Sequence, residues 1–184
     1  MLLYSYQINK FYIIKKPKIA EKPAGLLILK FISKATGQTK RKEDDEMKVG
    51  LIGCGGMGTT HNLSLKALSS KMDVEVTALA DCRPEFLEKA AEQWPNARLY
   101  KTGMELLEAE TLDSVHICLP SYLHTEHAVA AMDRGMNVFI EKPVCLTEEE
   151  AQKLLDAKER NHVQVMVGQV VRSFDEYRYL KDCY

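Results

Sequence analysis

Between residues 47 and 168, short continuous apolar runs alternate with longer segments whose apolar residues recur every three or four positions. The runs at 48–52, 74–80, 98–100, 114–119, 137–140 and 163–167 predict six strands, most of them buried on both faces. The segments between them predict helices. Leu63, Leu65, Ala67 and Leu68 give 59–70 an apolar stripe, and Pro84 sits near the first turn of 84–94, where no donor is lost. A short helix is expected at 103–109. Ala128, Ala131 and Met132 share one face of 122–134, which Gly135 closes. Thr147, with Glu150 three residues on, reads as a capping box opening a helix whose apolar face is Ala151, Leu154 and Leu155. Strands alternating with helices predict an α/β fold, a doubly wound parallel sheet joined by right-handed crossovers. Ligands bind such sheets beyond the carboxyl ends of the strands. Four loops converge there, at 53–58, 81–84, 120–124 and 141–143.

The first of those loops carries the strongest signal. Residues 48–58 read KVGLIGCGGMG, a strand running into a glycine turn that opens a helix, and Asp81 closes the next strand 23 residues after Gly58. This spacing fits a Rossmann dinucleotide site. Gly53 permits the sharp turn, Gly55 lets a diphosphate approach the backbone, and Gly58 lets the helix pack on the sheet. Gly56 and Met57 complete the turn, whose free N–H groups face the phosphates. Asp81 can accept hydrogen bonds from the adenosine ribose, and Arg83 can stack on adenine or reach a phosphate. A carboxylate suits a 2′-hydroxyl and repels a 2′-phosphate, so NAD is expected, with NADP as a second cofactor the residues do not forbid. An α/β domain with an empty glycine turn is the competing structural reading.

Composition narrows the class. Residues 1–46 hold ten Lys/Arg and five Asp/Glu, while the remainder holds fifteen and twenty-one. The remainder is thus mildly acidic, which argues against nucleic acid as a partner. Residues 1–46, lysine-rich and ending in KRKEDDE, read as an unstructured or non-native leader whose deletion is expected to leave folding and cofactor affinity unchanged. Five cysteines without a CxxC pair suit a reducing compartment, the cytoplasm, rather than a disulfide framework. Cys54 and Cys118 read as small core residues. No stretch has the apolar length needed to span a bilayer. His124 and His127 are three apart, but no third ligand accompanies them, so no metal is expected. His61 reads as a packing or local capping residue.

KVGLIGCGGMGTTH, ALADCRPE and ICLPSYLHTEHAVAAMDRGMNVFIEKPVCLTEEEAQKL together resemble the Gfo/Idh/MocA family of NAD(P)-dependent oxidoreductases, over about residues 47–175. The Glu-Lys-Pro at 141–143, with Pro120 and His124 in the preceding loop, is the most specific part of the resemblance. It implies a hydride transfer between a nicotinamide cofactor and a sugar or polyol hydroxyl. The proton must then be handled by a side chain at the crevice, and Lys142 matches the family's lysine for that role. Glu141 reads as a positioning or nicotinamide-side residue, and His124 as lining the nicotinamide pocket. GQVVRSFDEYRYLK resembles the passage into the family's second domain, with Arg172 near the junction. That domain is a mostly antiparallel sheet that supplies an Asp and a His and usually pairs subunits into homo-oligomers. It is expected to be essentially absent here, 169–184 being only its start, so this chain alone is expected to bind cofactor weakly and turn over nothing. A non-catalytic nucleotide-binding module and an inactive gene fragment are the alternatives.

Overall fold

Six runs rich in β-branched and aliphatic residues form strands: β1 (Met47–Ile52), β2 (Val74–Ala80), β3 (Arg98–Tyr100), β4 (Ser114–Ile117), β5 (Asn137–Ile140) and β6 (Val165–Val167). In this computed structural model they pair in the order β3-β2-β1-β4-β5-β6, every neighbouring pair parallel. The structure describes residues 46–169 together with Ile28, Phe31, Phe174, Tyr177, Tyr179, Leu180 and Cys183. The expected domain start at 169–184 falls almost wholly outside the described residues, as does Arg172.

The connections between strands are α1 (Gly56–Ser69), α2 (Pro84–Ala91), α3 (Gly103–Ala109), α4 (His124–Met132) and α5 (Glu148–Asn161), with a 3-10 turn at Ser121–Leu123 before α4. The chain steps outward from β1 to β3, returns past β1, and steps outward again from β4 to β6. Right-handed crossovers therefore put α1 and α2 on one face and α3, α4 and α5 on the other. The core divides accordingly. Leu106, Leu107, Ala128, Ala131, Met132, Leu154 and Ala157 pack one face, and Leu65, Leu68, Ala90 and Trp94 pack the other. Asn62 ties the second layer together: it accepts from Trp94 Nε1 (2.6 Å) and donates to the Ala90 carbonyl (3.1 Å).

This topology leaves β4 and β5 without a crossover helix on the α1 face. Phe139 of β5 points there, and Ile28 and Phe31, both helical, cover it with 0% and 1% exposure. The Phe31 ring meets Phe139 edge-on at 5.6 Å between centroids. The expectation of an unstructured leader over 1–46 does not hold at these two positions. The segment's charge concealed an apolar pair that the open sheet face requires.

Most predicted elements are present with small boundary shifts. α1 begins at Gly56 rather than residue 59, because the glycine turn itself forms the first helical turn. The expected 122–134 helix divides into the 3-10 turn and α4. Leu63 and Leu155, expected on apolar faces, are exposed, and the buried stripe of α1 is His61, Asn62, Ser64, Leu65 and Leu68. Thr147 accepts from the Glu150 amide (3.2 Å), but Glu150's carboxylate takes the Leu146 amide (2.7 Å). The reciprocal capping box is formed instead by Thr102 and Glu105 at α3. At the β3 border the Arg98 guanidinium and the Tyr100 hydroxyl both donate to the Glu110 carboxylate. Among the described residues no helix is long and apolar enough to cross a membrane.

Candidate functional site

The strand order reverses between β1 and β4, and the loops leaving their carboxyl ends lie against one another. Gly53 turns the chain at φ +88°, and a Cβ there would fall 2.6 Å from the Cys118 carbonyl oxygen after β4. Its amide donates to the Ala80 carbonyl (2.8 Å), which fixes the turn to the end of β2. Five residues on, α1 rises so close to this turn that a Cβ on Gly58 would stand 1.8 Å from the Gly53 carbonyl oxygen. No side chain caps the start of α1 and no acid occupies its first turn. Its first N–H groups, beside the exposed Gly56 and Met57, are therefore left for an anion, with the helix dipole adding to the attraction. A diphosphate fits this cradle.

Asp81 stands beside it at 8% exposure. One carboxylate oxygen accepts from the Cys54 amide (2.8 Å) and the other from the Arg83 amide (2.9 Å) and Arg83 Nε (3.4 Å). The oxygen facing Cys54 keeps a lone pair for a ribose hydroxyl, while the other has both of its sites filled by Arg83. The Arg83 guanidinium lies 4.0 Å over the Phe86 ring, and a Cβ on Gly55 would lie 2.8 Å from its Nη2, so the cation overhangs the glycine turn. The Cys54 thiol is pushed up to about 12 by burial and by the Asp81 charge, against a smaller opposing effect of the Ala80 carbonyl. Together with its 2% exposure this makes Cys54 a packing residue. Asp81→Asn replaces an oxygen by an NH2 group that must face an amide N–H. NADH affinity is expected to fall about tenfold or more, from an unsatisfied pair costing ~1–3 kcal/mol. Titration calorimetry checks this, and unchanged affinity would remove Asp81 from the site.

On the other side of the crevice, Pro120 is exposed and leads into the 3-10 turn. His124 does not face the crevice as expected. It is 1% exposed, with Nδ1 2.7 Å from the Pro143 carbonyl oxygen and Nε2 2.8 Å from the Leu119 carbonyl oxygen. With both neighbours acceptors, a neutral ring donates its one N–H to one of them, and either bond ties the start of α4 to an adjoining loop. His127 turns its Nδ1 to the Leu123 carbonyl (2.9 Å). Among the described residues no three His, Cys, Asp or Glu side chains are grouped to hold a metal.

Glu141 and Lys142 leave the end of β5 in opposite directions. Lys142 is exposed, and its bond to Pro143 is cis. The Glu141 carboxylate turns inward at 4% exposure, accepting from the Lys142 amide (3.2 Å) and lying 3.0 Å from His61 Nε2. That orientation fits a positioning role. Burial works to raise the Glu141 pKa, but the His61 hydrogen bond and the Lys142 amide help outweigh it, and the carboxyl sits below its ordinary range. The fold thus favours the ionised form, a stabilisation present at neutral pH and lost as pH falls through the carboxylate range.

His61 itself is fully buried, and its Nδ1 lies 2.9 Å from Nδ1 of His116, also fully buried in β4. Sequence reasoning gave neither a place in the site. The signals were there: His61 stands three, four and seven positions from Ser64, Leu65 and Leu68, and His116 interrupts an apolar run in a strand buried on both faces.

A glycine turn opening an uncapped helix, an acid closing the second strand and a strand order that reverses beside them define a dinucleotide-binding Rossmann domain. Residues 47–169 match the GFO/IDH/MocA oxidoreductase family, described by its NAD-binding Rossmann fold, and the chain belongs to that family. The chain is 32% identical over 135 residues to the rhizopine catabolism protein MocA of Rhizobium meliloti, covering 73% of this chain and 41% of that protein. It is 29% identical over 137 residues to a myo-inositol 2-dehydrogenase of Thermotoga maritima, covering 74% and 40%. The same fold occurs in the scyllo-inositol dehydrogenase of Lactobacillus casei with bound NAD(H) and scyllo-inositol, at TM-score 0.68 and 23% identity, covering 75% of this chain and 40% of that one. The chain thus spans about two fifths of the length of these relatives.

Proposed function

We infer that this chain is the cofactor-binding half of an NAD-dependent dehydrogenase that oxidises a hydroxyl of a sugar or polyol in the cytoplasm. One observation carries the reading: the uncapped glycine turn, Asp81 and Lys142 all stand at the carboxyl ends of strands in one sheet, around its switch point. Relatives named for inositol and glucoside dehydrogenation support the substrate class. Bound NAD supplies the hydride acceptor. The amides of the glycine turn would hold its diphosphate and Asp81 its adenosine ribose, with Arg83 overhanging both. Lys142, exposed at the crevice beside the inward-turned Glu141, would hold the substrate hydroxyl and, as the neutral amine, take its proton as the carbon gives up hydride.

Titration of the 184-residue chain with NADH and with NADPH is the first test. Tighter binding of NADH is expected, because Asp81 repels a 2′-phosphate; tighter NADPH binding would overturn the cofactor assignment. A second reading, a nucleotide-binding module without catalysis, would rest on the uncapped glycine turn and Asp81 alone. Saturation-transfer NMR with NADH and myo-inositol separates the two. The dehydrogenase reading expects polyol binding that weakens by up to about tenfold in Lys142→Met, the loss of a hydrogen bond. Dinucleotide binding with no polyol contact, or contact indifferent to Lys142, favours the module. NADH formation from NAD and a polyol is not expected from these residues alone.

A further inference from the structure

The buried histidines below the crevice are absorbed by neither cofactor binding nor proton transfer. We propose that His116 and His61 form a one-way hydrogen-bond relay that fixes the Glu141 carboxylate, making both histidines positioning residues for the main chain of Lys142. The relay runs from β4 through α1 to the end of β5. His116 Nδ1 and His61 Nδ1 are 2.9 Å apart, His61 Nε2 and Glu141 Oε1 3.0 Å, and Glu141 Oε2 accepts from the Lys142 amide at 3.2 Å.

Only one proton fits between two nitrogens at that separation. If His116 carries it, His61 accepts at Nδ1 and donates from Nε2 to the carboxylate. His116 Nε2 is then a bare acceptor, and this atom is buried without a partner. If His61 carries it, His116 accepts at Nδ1 and its own proton sits on Nε2, a buried N–H without a partner. A neutral His61 would in addition turn a bare Nε2 on the Glu141 anion. Unpaired buried N–H groups are the rarer defect in folded proteins, and an acceptor facing an anion is repelled. The geometry therefore assigns the proton to His116 Nδ1 and to His61 Nε2.

The surroundings hold the rings in this arrangement. His116 stacks on Phe139 (5.0 Å, 17°), and Phe31 closes its edge at 5.8 Å. His61 stands nearly perpendicular to Phe139 at 4.9 Å. Beyond the carboxylate, a Cβ on Gly168 would lie 2.6 Å from Glu141 Oε1, so a side chain on the residue after β6 would press on the inward-turned carboxylate. Burial works against protonation of His116, and the neighbouring His61 adds to that.

That Lys142 handles the substrate proton rests on the function inferred above; the relay itself does not. Long-range 1H–15N correlation spectra of the labelled 184-residue chain read the tautomers directly. A protonated Nδ1 with a bare Nε2 on His116, and the reverse on His61, is expected; either ring in the opposite tautomer overturns the relay. Amide exchange at Lys142 tests its purpose. His61→Leu removes the donor to Glu141 and is expected to speed that exchange on the order of tenfold, while His61→Gln, which keeps an N–H, restores most of the protection. Equal exchange in a folded His61→Leu chain and the natural one overturns the positioning role. Should His61→Leu fail to fold, the tautomers of the natural chain and the exchange in His61→Gln decide the matter. Correct tautomers with polyol contact indifferent to Lys142 would instead fault the function assigned to Lys142 and leave the relay standing.

Discussion

Gly58→Ala is expected to abolish NADH binding and to destabilise the chain by about 3 kcal/mol, the upper range for forcing atoms into a packed site. The added methyl would lie 1.8 Å from the Gly53 carbonyl oxygen. No rotamer change relieves that contact, because both partners are backbone. Either α1 moves away from the sheet or the turn opens, and both outcomes take the first N–H groups of α1 out of the diphosphate cradle. Gly56→Ala is the matched control: nothing lies within 4 Å of its added Cβ, so its stability is expected to stay within about 1 kcal/mol of the parent. Urea unfolding and NADH titration of the two variants give the answer together. If Gly58→Ala retains NADH affinity, the close packing of α1 on the turn is not what holds the cofactor.

Phe31→Ala is expected to lower stability by ~3–5 kcal/mol, the usual loss for a fully buried phenylalanine. For a chain of this size that corresponds to a fall of about 10 °C or more in Tm. The cause is specific: Phe31, at 1% exposure, and Ile28 share the cluster around Phe139, on the face of β5 opposite its own crossover helices. Removing residues 1–46 takes both away and is expected to cost at least as much, the reverse of what the sequence alone suggested. Thermal melts followed by circular dichroism check this. A Phe31→Ala chain with an unchanged Tm would mean that the sheet face tolerates water.

The difference between these two predictions shows what a sequence can carry. Gly53, Gly58 and Asp81 were legible because their spacing along the chain is itself the signature of the site: one turn and one strand length connect them. Lys142 was legible through its neighbours Glu141 and Pro143, as a local word. His61 and His116 were not, because the relay joins positions 55 and 80 residues apart that meet only where His61 reaches from α1 to β4 and the end of β5. The burial of His124 and its neighbouring carbonyls of Leu119 and Pro143 were not legible, because nothing in the run SYLHTEHA announces them. Ile28 and Phe31 were missed for a different reason. The segment around them is dominated by lysines and ends in a charge run, so average composition outweighed two residues whose burial depends on a gap elsewhere in the fold.

The sheet's two borders, β3 and β6, are only three residues long, and at β3 the Arg98 guanidinium is locked onto Glu110. A strand that short offers a neighbouring molecule few free backbone groups to zip onto, and a fixed charge there discourages the attempt. Among the described residues, these borders disfavour self-association through added strands while the domain is folded. Aggregation on heating should follow the loss of the core and not precede it.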